Sequence, residues 1–191
     1  MSKAPVLTKS ATGDVRARVR RMLQQKPDWK TVTKVEAEII KNHLMKATIS
    51  VPELNVSFTI FADEPAAVGG EGSAPLMFGY FMAGALLCEL AQYTWNAGEL
   101  ELYDSIDSIK MKLEGGFPLA PLYGMDDTPG ASAISDMKVE TKIEGDATPE
   151  QIEQLARLAA ARCPAHQSLS NRVPYFNTVE LNGQKIAEFN D

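Results

Sequence analysis

The sequence predicts one domain in which antiparallel sheets combine with helices, preceded by a short arm. Segments in which apolar and polar residues alternate, the pattern of half-buried strands, occur within 32–61 and again within 105–145. Stretches with helical spacing occur at 77–96 and 149–162. The chain has 191 residues, of which 45% are hydrophobic, and this is enough to bury a core.

The first 30 residues are predicted to form an N-terminal arm. Residues 1–13 are predicted to be a flexible lead-in, and Asp14 is expected to cap a short helix, DVRARVRRMLQQ, that ends before Pro27. Four arginines crowd this helix: Arg16, Arg18, Arg20 and Arg21. A face turned to solvent or to another subunit is the main interpretation, and anion or nucleic-acid binding is the alternative.

The segments VTKVEAEII, LMKATISV and LNVSFTIF predict an antiparallel N-terminal sheet, with the polar KNH as the first turn. The next stretch, DEPAAVGGEGSAP at 63–75, is predicted to be a loop because prolines and glycines interrupt it without periodicity. From about Met77 to Asn96 apolar residues nearly surround a helical pattern. We therefore expect a central helix that is covered on several sides and ends before Gly98.

The second half of the chain predicts two more strands, SIDSIKMKLEG and SDMKVETKIEG, and the connection between them spans residues 115–133. So long and apolar a connection is typical of a lid or a loop that faces a partner. A helix is expected to begin at Thr148, where Gln151 completes a capping box. The chain is then predicted to end in a hairpin that turns at Asn182 and Gly183.

Charge and composition argue against several classes of protein. The net charge is −6, which disfavours nucleic acid as the main partner because phosphate binding needs a basic surface. No apolar run approaches the roughly 20 residues of a membrane span, and the first residues lack the apolar core of a secretory signal. With only two cysteines, we expect a cytoplasmic protein in a reducing environment, without a membrane partner.

The two cysteines lie in different sequence contexts. Cys163 precedes Pro164 in RCPAHQSLSN, and proline is favoured at the first position of a helix, so Cys163 is predicted to be an N-cap. The helix dipole and unpaired N–H groups are then expected to lower the pKa of Cys163, with Arg162 and His166 adding positive charge. Cys88 lies in the middle of the apolar helix, and is either an inert core residue or part of an assembled pocket.

Three blocks of the sequence resemble the OsmC/Ohr family, the osmotically inducible protein C and organic hydroperoxide resistance group. DEPAAVGGEGSAP resembles the family's loop, GYFMAGALLCEL its central helix with the first cysteine, and RCPAHQSLSN its second-cysteine motif. The likeness covers most of residues 32–180. It implies an OsmC-like domain at 31–191, to which the arm at 1–30 and the loop at 115–133 are additions.

The resemblance implies an α+β fold in which antiparallel sheets pack around two long central helices in an intertwined homodimer. It also implies a function in oxidative stress, the reduction of organic hydroperoxides. Cys88 would attack the peroxide and become a sulfenic acid, Cys163 would form a disulfide with it, and an external dithiol would reduce the pair. No cofactor and no metal are expected.

The resemblance also indicates which residues surround the thiols. An apolar wall of Phe78, Phe81, Met82 and Tyr123 is expected to favour organic peroxides. The family's peroxidases carry a glutamate before the first cysteine that orients an arginine onto the thiolate, but Gly79 stands at that place and residues 32–51 contain no arginine. Four other residues are candidates for supporting the thiolate instead, namely His43, Lys46, Arg162 and His166.

Three alternatives remain open at the level of the sequence. The protein is either a peroxidase or an OsmC-like protein without efficient turnover, which binds a small apolar ligand or acts as a redox switch. Hydrolytic catalysis by Cys163 and His166 is disfavoured because no orienting acid or oxyanion hole is evident. A metal site is disfavoured because the two cysteines and two histidines match no standard ligand spacing.

Overall fold

The computed structural model describes residues 6–190, and in these residues helices and antiparallel sheets form the predicted α+β fold. The α-helices are α1 (Val15–Gln25), α2 (Met77–Glu99), α3 (Leu119–Leu122), α4 (Pro149–Arg162) and α5 (Pro164–Ser170). The strands are β1 (Lys34–Lys41), β2 (Leu44–Val51), β3 (Val56–Ala62), β4 (Ser108–Gly116), β5 (Asp136–Glu144), β6 (Phe176–Leu181) and β7 (Gln184–Asn190).

The strands form three antiparallel sheets of consecutive strands, in the order β1-β2-β3, β4-β5 and β6-β7. The predicted strand segments and their pairing are thus confirmed. The hairpin between β6 and β7 turns where the sequence predicted it. Asn182 and Gly183 both have positive φ, 53° and 80°, which is the conformation that a two-residue turn of type I′ requires.

The core lies where the second half of α2 packs against α4 and the β4-β5 sheet. Its buried members come from several elements and are Leu7, Tyr93, Ala97, Leu102, Ile106, Leu155 and Ala159. The helices α2 and α4 present alanines to each other in this core, and these small residues let the two helices approach closely. The contact between α2 and α4 therefore anchors the domain.

The N-terminal arm differs from its prediction, of which residues 1–5 lie outside the described part of the chain. A π-helical segment, Ser10–Asp14, runs directly into α1, so Asp14 has helical backbone angles and its side chain caps nothing. The lead-in is also packed rather than free, because Leu7 and Thr12 are buried. The cap prediction was wrong because the preceding residues continue the helix, which a single favourable capping residue does not prevent.

The helix α2 continues through Gly98 and ends at Glu99, three residues after the predicted end at about Asn96. Gly98 has a packing role instead. A Cβ at this position would lie 3.1 Å from the backbone of Thr12, which shows how closely the N-terminal segment crosses the helix. Glycine is needed there because the crossing leaves no room for a side chain.

The first half of α2 is not covered on several sides within one chain, contrary to the expectation from its apolar pattern. Leu87 is 63% exposed and Phe81 is 48% exposed. Only the last part of the helix is buried, because α4 and the N-terminal segment contact it there. The apolar surface that the sequence predicted is present, but a single chain leaves much of it open.

The two predicted loops are more ordered than a lack of periodicity suggests. In the first loop the buried Asp63 accepts hydrogen bonds from the backbone N–H groups of Glu64, Glu71 and Ser73, and these hold its pKa below the ordinary value. The second loop begins later than predicted, since β4 extends to Gly116, and it contains α3. No helix among residues 6–190 is long and apolar enough to cross a membrane.

The capping box of α4 supplies a test of helix stability. The hydroxyl of Thr148 accepts the N–H of Gln151 at 3.3 Å, and the Gln151 side chain accepts the N–H of Thr148 at 2.9 Å. We expect Thr148→Ala to lower the free energy of unfolding by about 1 kcal/mol, because an N–H at the helix start loses its partner. Urea denaturation followed by circular dichroism measures this. An equal loss in Gln154→Ala, on the exposed surface of α4, would contradict it.

Candidate functional site

The structure brings the two cysteines together, although they lie far apart in the sequence. Cys88 is in the middle of α2 and is half-buried, whereas Cys163 lies between α4 and α5 and has no exposed surface. Both thiols are free, and Cys88 lies close enough to Cys163 to influence its pKa. They meet because α2 packs against α4 and α5 on the same side.

Cys163 occupies the N-cap position of α5, as its sequence context predicted. Its backbone is extended, with φ −79° and ψ 115°, which ends α4 and begins α5 at Pro164. Its sulfur accepts a hydrogen bond from the backbone N–H of His166 at 3.4 Å. The Cys-Pro pair therefore turns the chain between two helices and holds the sulfur at the start of the second helix.

The predicted effect on the acidity of Cys163 was wrong. Burial raises the pKa of Cys163, and the neighbouring Cys88 thiol raises it further. The backbone N–H groups of His166 and Ala165 act in the opposite direction, but their effect is smaller. Desolvation disfavours a thiolate that has no surface exposure, and here it outweighs the favourable helix terminus.

Arg162 directly precedes Cys163, but its guanidinium is hydrogen-bonded to other residues. Its guanidinium donates to the carboxylate of Glu99 at 2.6 Å and to the side-chain oxygen of the buried Asn96 at 2.5 Å. Arg16 of the N-terminal arm donates to the same Glu99 and to the backbone oxygen of Trp95. Hydrogen bonding to Arg162 is the main cause that lowers the pKa of Glu99.

The cluster of Glu99, Asn96, Arg162 and Arg16 joins three parts of the chain, namely the ends of α2 and α4 and the N-terminal arm. Its member Arg162 is the residue directly before Cys163, so these contacts hold the end of α4 in place. The main interpretation of the arginine-rich helix, an exposed face, holds for Arg18, Arg20 and Arg21. Arg16 is the exception, since its side chain is only 19% exposed.

His166 faces Glu89, which directly follows Cys88 in α2. The imidazole Nδ1 lies 3.8 Å from a Glu89 carboxylate oxygen, and the Glu89 side chain is only 15% exposed. Both residues line a cavity of about 360 Å³ between α2, α5 and β5. Of the predicted supporting residues, His166 is thus the one that the structure brings to this cavity beside the thiols.

A second cavity of about 420 Å³ lies beside the first one, between α2 and α5. Ala85 and Leu169 line both cavities, and Ala85 lies one helical turn before Cys88 on the same face of α2. The lining of the first cavity is mainly apolar, with contributions from Leu86, Leu113, Ile134, Met137 and Val139. Two apolar cavities therefore border α2 within one turn of Cys88, although neither cysteine lines them.

The predicted pocket residues do not form one wall within a single chain. Phe81 lines the cavity of about 420 Å³, whereas Phe78 and Tyr123 line another cavity, of about 630 Å³, beside the loop at 115–133. Met82 packs near Gly115 of β4. The aromatic rings are nevertheless connected, because Phe78 stacks on Phe81 with centroids 6.1 Å apart.

The remaining predicted residues lie in the N-terminal sheet and its turn. Lys46 forms an ion pair with Glu38 of the neighbouring strand. His43, in the turn between β1 and β2, lies beside Gly69 and lines a small cavity near Asp63. Neither residue lines the two cavities beside the thiols. Gly79, at the place of the family's glutamate, has open space around the position of a Cβ.

Sequence reasoning missed the importance of Glu89, Asn96 and Glu99. Glu89 directly follows Cys88, and adjacent helical residues point about 100° apart. The structure shows that this direction leads to His166, since α5 packs there. No local signal identifies these three residues, because each finds its partner in an element more than 60 residues away along the chain.

The fold and the paired cysteines define an OsmC-like protein. The family model described as OsmC-like protein matches residues 70–175, which include both cysteines and all the elements from α2 to α5. The chain therefore belongs to the OsmC-like family. A search of curated proteins gave no significant match.

Solved structures agree with this assignment at the level of the fold. An OsmC-like protein from Mycoplasma pneumoniae is 19% identical, with a TM-score of 0.58 over 76% of this chain and 90% of that chain. An organic hydroperoxide resistance protein OsmC from Legionella pneumophila is 18% identical, with a TM-score of 0.54 over 76% of this chain and 94% of that one.

The lowered pKa of Glu99 predicts a stability contribution that depends on pH. Since the folded-state value lies below the ordinary one of about 4.3, the contribution is fully present above that pH and disappears as the pH falls through the lowered value. We expect Glu99→Gln to lower the free energy of unfolding by about 1–2 kcal/mol at pH 7, with a smaller difference near pH 3.

Urea denaturation at several pH values measures the effect of Glu99→Gln. The matched control is Glu153→Gln, which removes a carboxylate from an exposed pair with Arg157 on α4 and should change stability by less than about 0.5 kcal/mol. A loss in Glu99→Gln that stays constant from pH 7 to pH 3 would rule out the ionised carboxylate as its cause.

Proposed function

We propose that this protein reduces organic hydroperoxides through a sulfenic acid and disulfide cycle of Cys88 and Cys163. The single observation that carries the proposal is the proximity of the two free thiols, which lie where α2 packs against α4 and α5. A second thiol within bonding reach can capture a sulfenic acid before it is oxidised further. The name of the Legionella relative, an organic hydroperoxide resistance protein, also supports this function.

The cycle balances with the two thiols and one external dithiol. The Cys88 thiolate attacks the outer oxygen of the hydroperoxide, the O–O bond breaks, and the products are Cys88 sulfenic acid and an alkoxide that takes up a proton. The Cys163 thiol then displaces the sulfenic oxygen as water and forms the disulfide. A dithiol reductant restores both thiols, and we place this step in the cytoplasm, where such reductants are maintained.

The difference in burial supports the assignment of the two roles. Cys88 is only half-buried, so a small oxidant can approach it. Cys163 is fully buried, and burial raises its pKa, so it is protected from direct oxidation. A protected thiol next to an accessible one suits the resolving role.

A second candidate function is a redox switch without efficient turnover. The observation that favours it is that Arg162 and Arg16 both donate to Glu99. These two arginines are therefore not available to stabilise a thiolate. A thiol pair without an activating arginine can still form a disulfide slowly and change the packing of α5 on α2. The binding of a small apolar ligand in the same cavities is the third outcome that an experiment must separate.

Thiol counting and turnover distinguish these functions. We expect one equivalent of cumene hydroperoxide to remove both free thiols, and a dithiol-reducing system linked to NADH to show sustained turnover. Cys88→Ser should abolish peroxide consumption, since it removes the attacking sulfur. Cys163→Ser should still react once and leave a sulfenic acid that dimedone labels.

Each result other than this supports a different function. Disulfide formation without turnover would support the switch, and thiols that do not react would support a binding protein. Full activity in Cys88→Ser would reverse the roles of the two cysteines. The separate test of folding is circular dichroism of both serine variants, which should match the parent protein because serine fills nearly the same volume.

We also infer a homodimer from the apolar surface that one chain leaves exposed. The sheet β1-β2-β3 exposes Ile39 and Phe58 at 69% and 66%, and the hairpin β6-β7 exposes Phe176 at 75%. The first half of α2 adds Leu87, at 63%. Apolar patches of this extent mark interfaces, and a second copy would bury the uncovered face of α2.

Sedimentation measures the dimer directly. We expect the chain to sediment at twice its own mass at micromolar concentration, and Phe176→Glu or Leu87→Glu to shift it toward the mass of one chain. Gln154→Glu is the control, since it places the same charge on the exposed surface of α4. A wild-type protein that sediments as a single chain would refute the inference.

A further inference from the structure

Glu89 and His166 form a pair of ionisable side chains beside the cysteines, and the proposed cycle does not yet use this pair. His166 lies three residues after Cys163 and donates its backbone N–H to that sulfur. Glu89 directly follows Cys88 and lies 3.8 Å from the His166 imidazole. Each member of the pair is therefore attached to the segment that holds one of the two cysteines.

The pair of Glu89 and His166 borders a cavity with room for a small apolar molecule. Glu89 and His166 line the same apolar cavity of about 360 Å³, in which Glu89 is mostly buried and His166 is 42% exposed. Other groups facing this region are Tyr93 beside Glu89 on α2 and Asp136 on β5. Tyr93 is buried and burial raises its pKa, so it stays neutral, whereas Asp136 lies near Lys138 at the rim.

We propose that His166, oriented by Glu89, is the proton donor to the leaving alkoxide in the reduction of organic hydroperoxides. His166 would be a catalytic residue, because its imidazole would touch the leaving oxygen. Glu89 would be a positioning residue, because it acts through the imidazole. The assignment rests on the proposed peroxidase function and extends it to the two residues that no family pattern in this sequence identifies.

The step balances in atoms and charge. The Cys88 thiol gives its proton to solvent and becomes a thiolate, and the His166 imidazole takes up a proton from solvent and becomes an imidazolium. The thiolate forms a bond to the outer peroxide oxygen, the O–O bond breaks, and the inner oxygen leaves as an alkoxide. The imidazolium donates its proton to that alkoxide, so the products are Cys88 sulfenic acid, an alcohol and a neutral His166.

The dependence on the leaving group makes this proposal testable. An alkoxide is a poor leaving group and needs a proton as the O–O bond breaks. A peroxycarboxylic acid releases a carboxylate, which needs none. Loss of a proton donor should therefore slow the reaction with an alkyl hydroperoxide and leave the reaction with a peroxycarboxylic acid nearly unchanged. Damage to the fold would slow both reactions equally.

The experiment compares single-turnover oxidation of Cys88 by cumene hydroperoxide and by perbenzoic acid in the full chain. We expect His166→Gln to lose roughly 100-fold with cumene hydroperoxide and less than about threefold with perbenzoic acid. Glu89→Gln should show the same selectivity with a smaller loss, and Glu89→Asp should restore part of the rate. Glu153→Gln, an exposed carboxylate on α4, is the matched control and should react like the wild type with both oxidants.

The outcomes separate the role of His166 from the peroxidase function on which it rests. Equal losses with both oxidants, or none, in His166→Gln would overturn the role of His166 while leaving the peroxidase function in place. If Asp136→Asn shows the selective loss and His166→Gln does not, the proton donor is Asp136. A wild-type protein that reacts with neither oxidant would overturn the peroxidase function itself, and the donor with it.

Discussion

The packing of α4 against α2 is the constraint on which the rest of the structure depends. Leu155 and Ala159 of α4 and Ala97 of α2 are completely buried at this contact. Because Cys163 alone separates α4 from α5, the position of α4 on α2 also determines where the second thiol lies relative to Cys88. The cluster around Glu99 holds the same junction through charge. A close helix pair thus produces the thiol pair.

Burial and local charge have opposite effects at this junction, and burial prevails at the sulfur. Cys163 has the backbone N–H groups that favour a thiolate, yet without exposed surface its pKa is raised. Arg162 would favour the thiolate, but Glu99 and Asn96 hold its guanidinium. A partly buried guanidinium binds a carboxylate and an amide oxygen strongly when both are within reach. The partner of Arg162 is therefore set by the packing of the helices, and its place next to a cysteine in the sequence does not determine it.

The sequence could predict the strands, their pairing, the capped helix and the N-cap position of Cys163, since each has a local signal. The order of three blocks also identified the family. The electrostatics of the site could not be predicted, because each contact joins residues far apart in the chain, as Glu89 and His166 show. The burial of Cys163 and the course of the N-terminal arm depend on packing, which a capping residue such as Asp14 does not reveal.

The position of the carboxylate on α2 explains how this chain differs from the family pattern. The family's glutamate would fall at Gly79, where a side chain would face open space within one chain. Glu89 lies ten residues later, and on an ideal helix this rotates the side chain by about 80°. The rotation turns the carboxylate to α5 and His166. The acid on α2 therefore meets a histidine from the segment that carries the second cysteine, in place of an arginine from the strands.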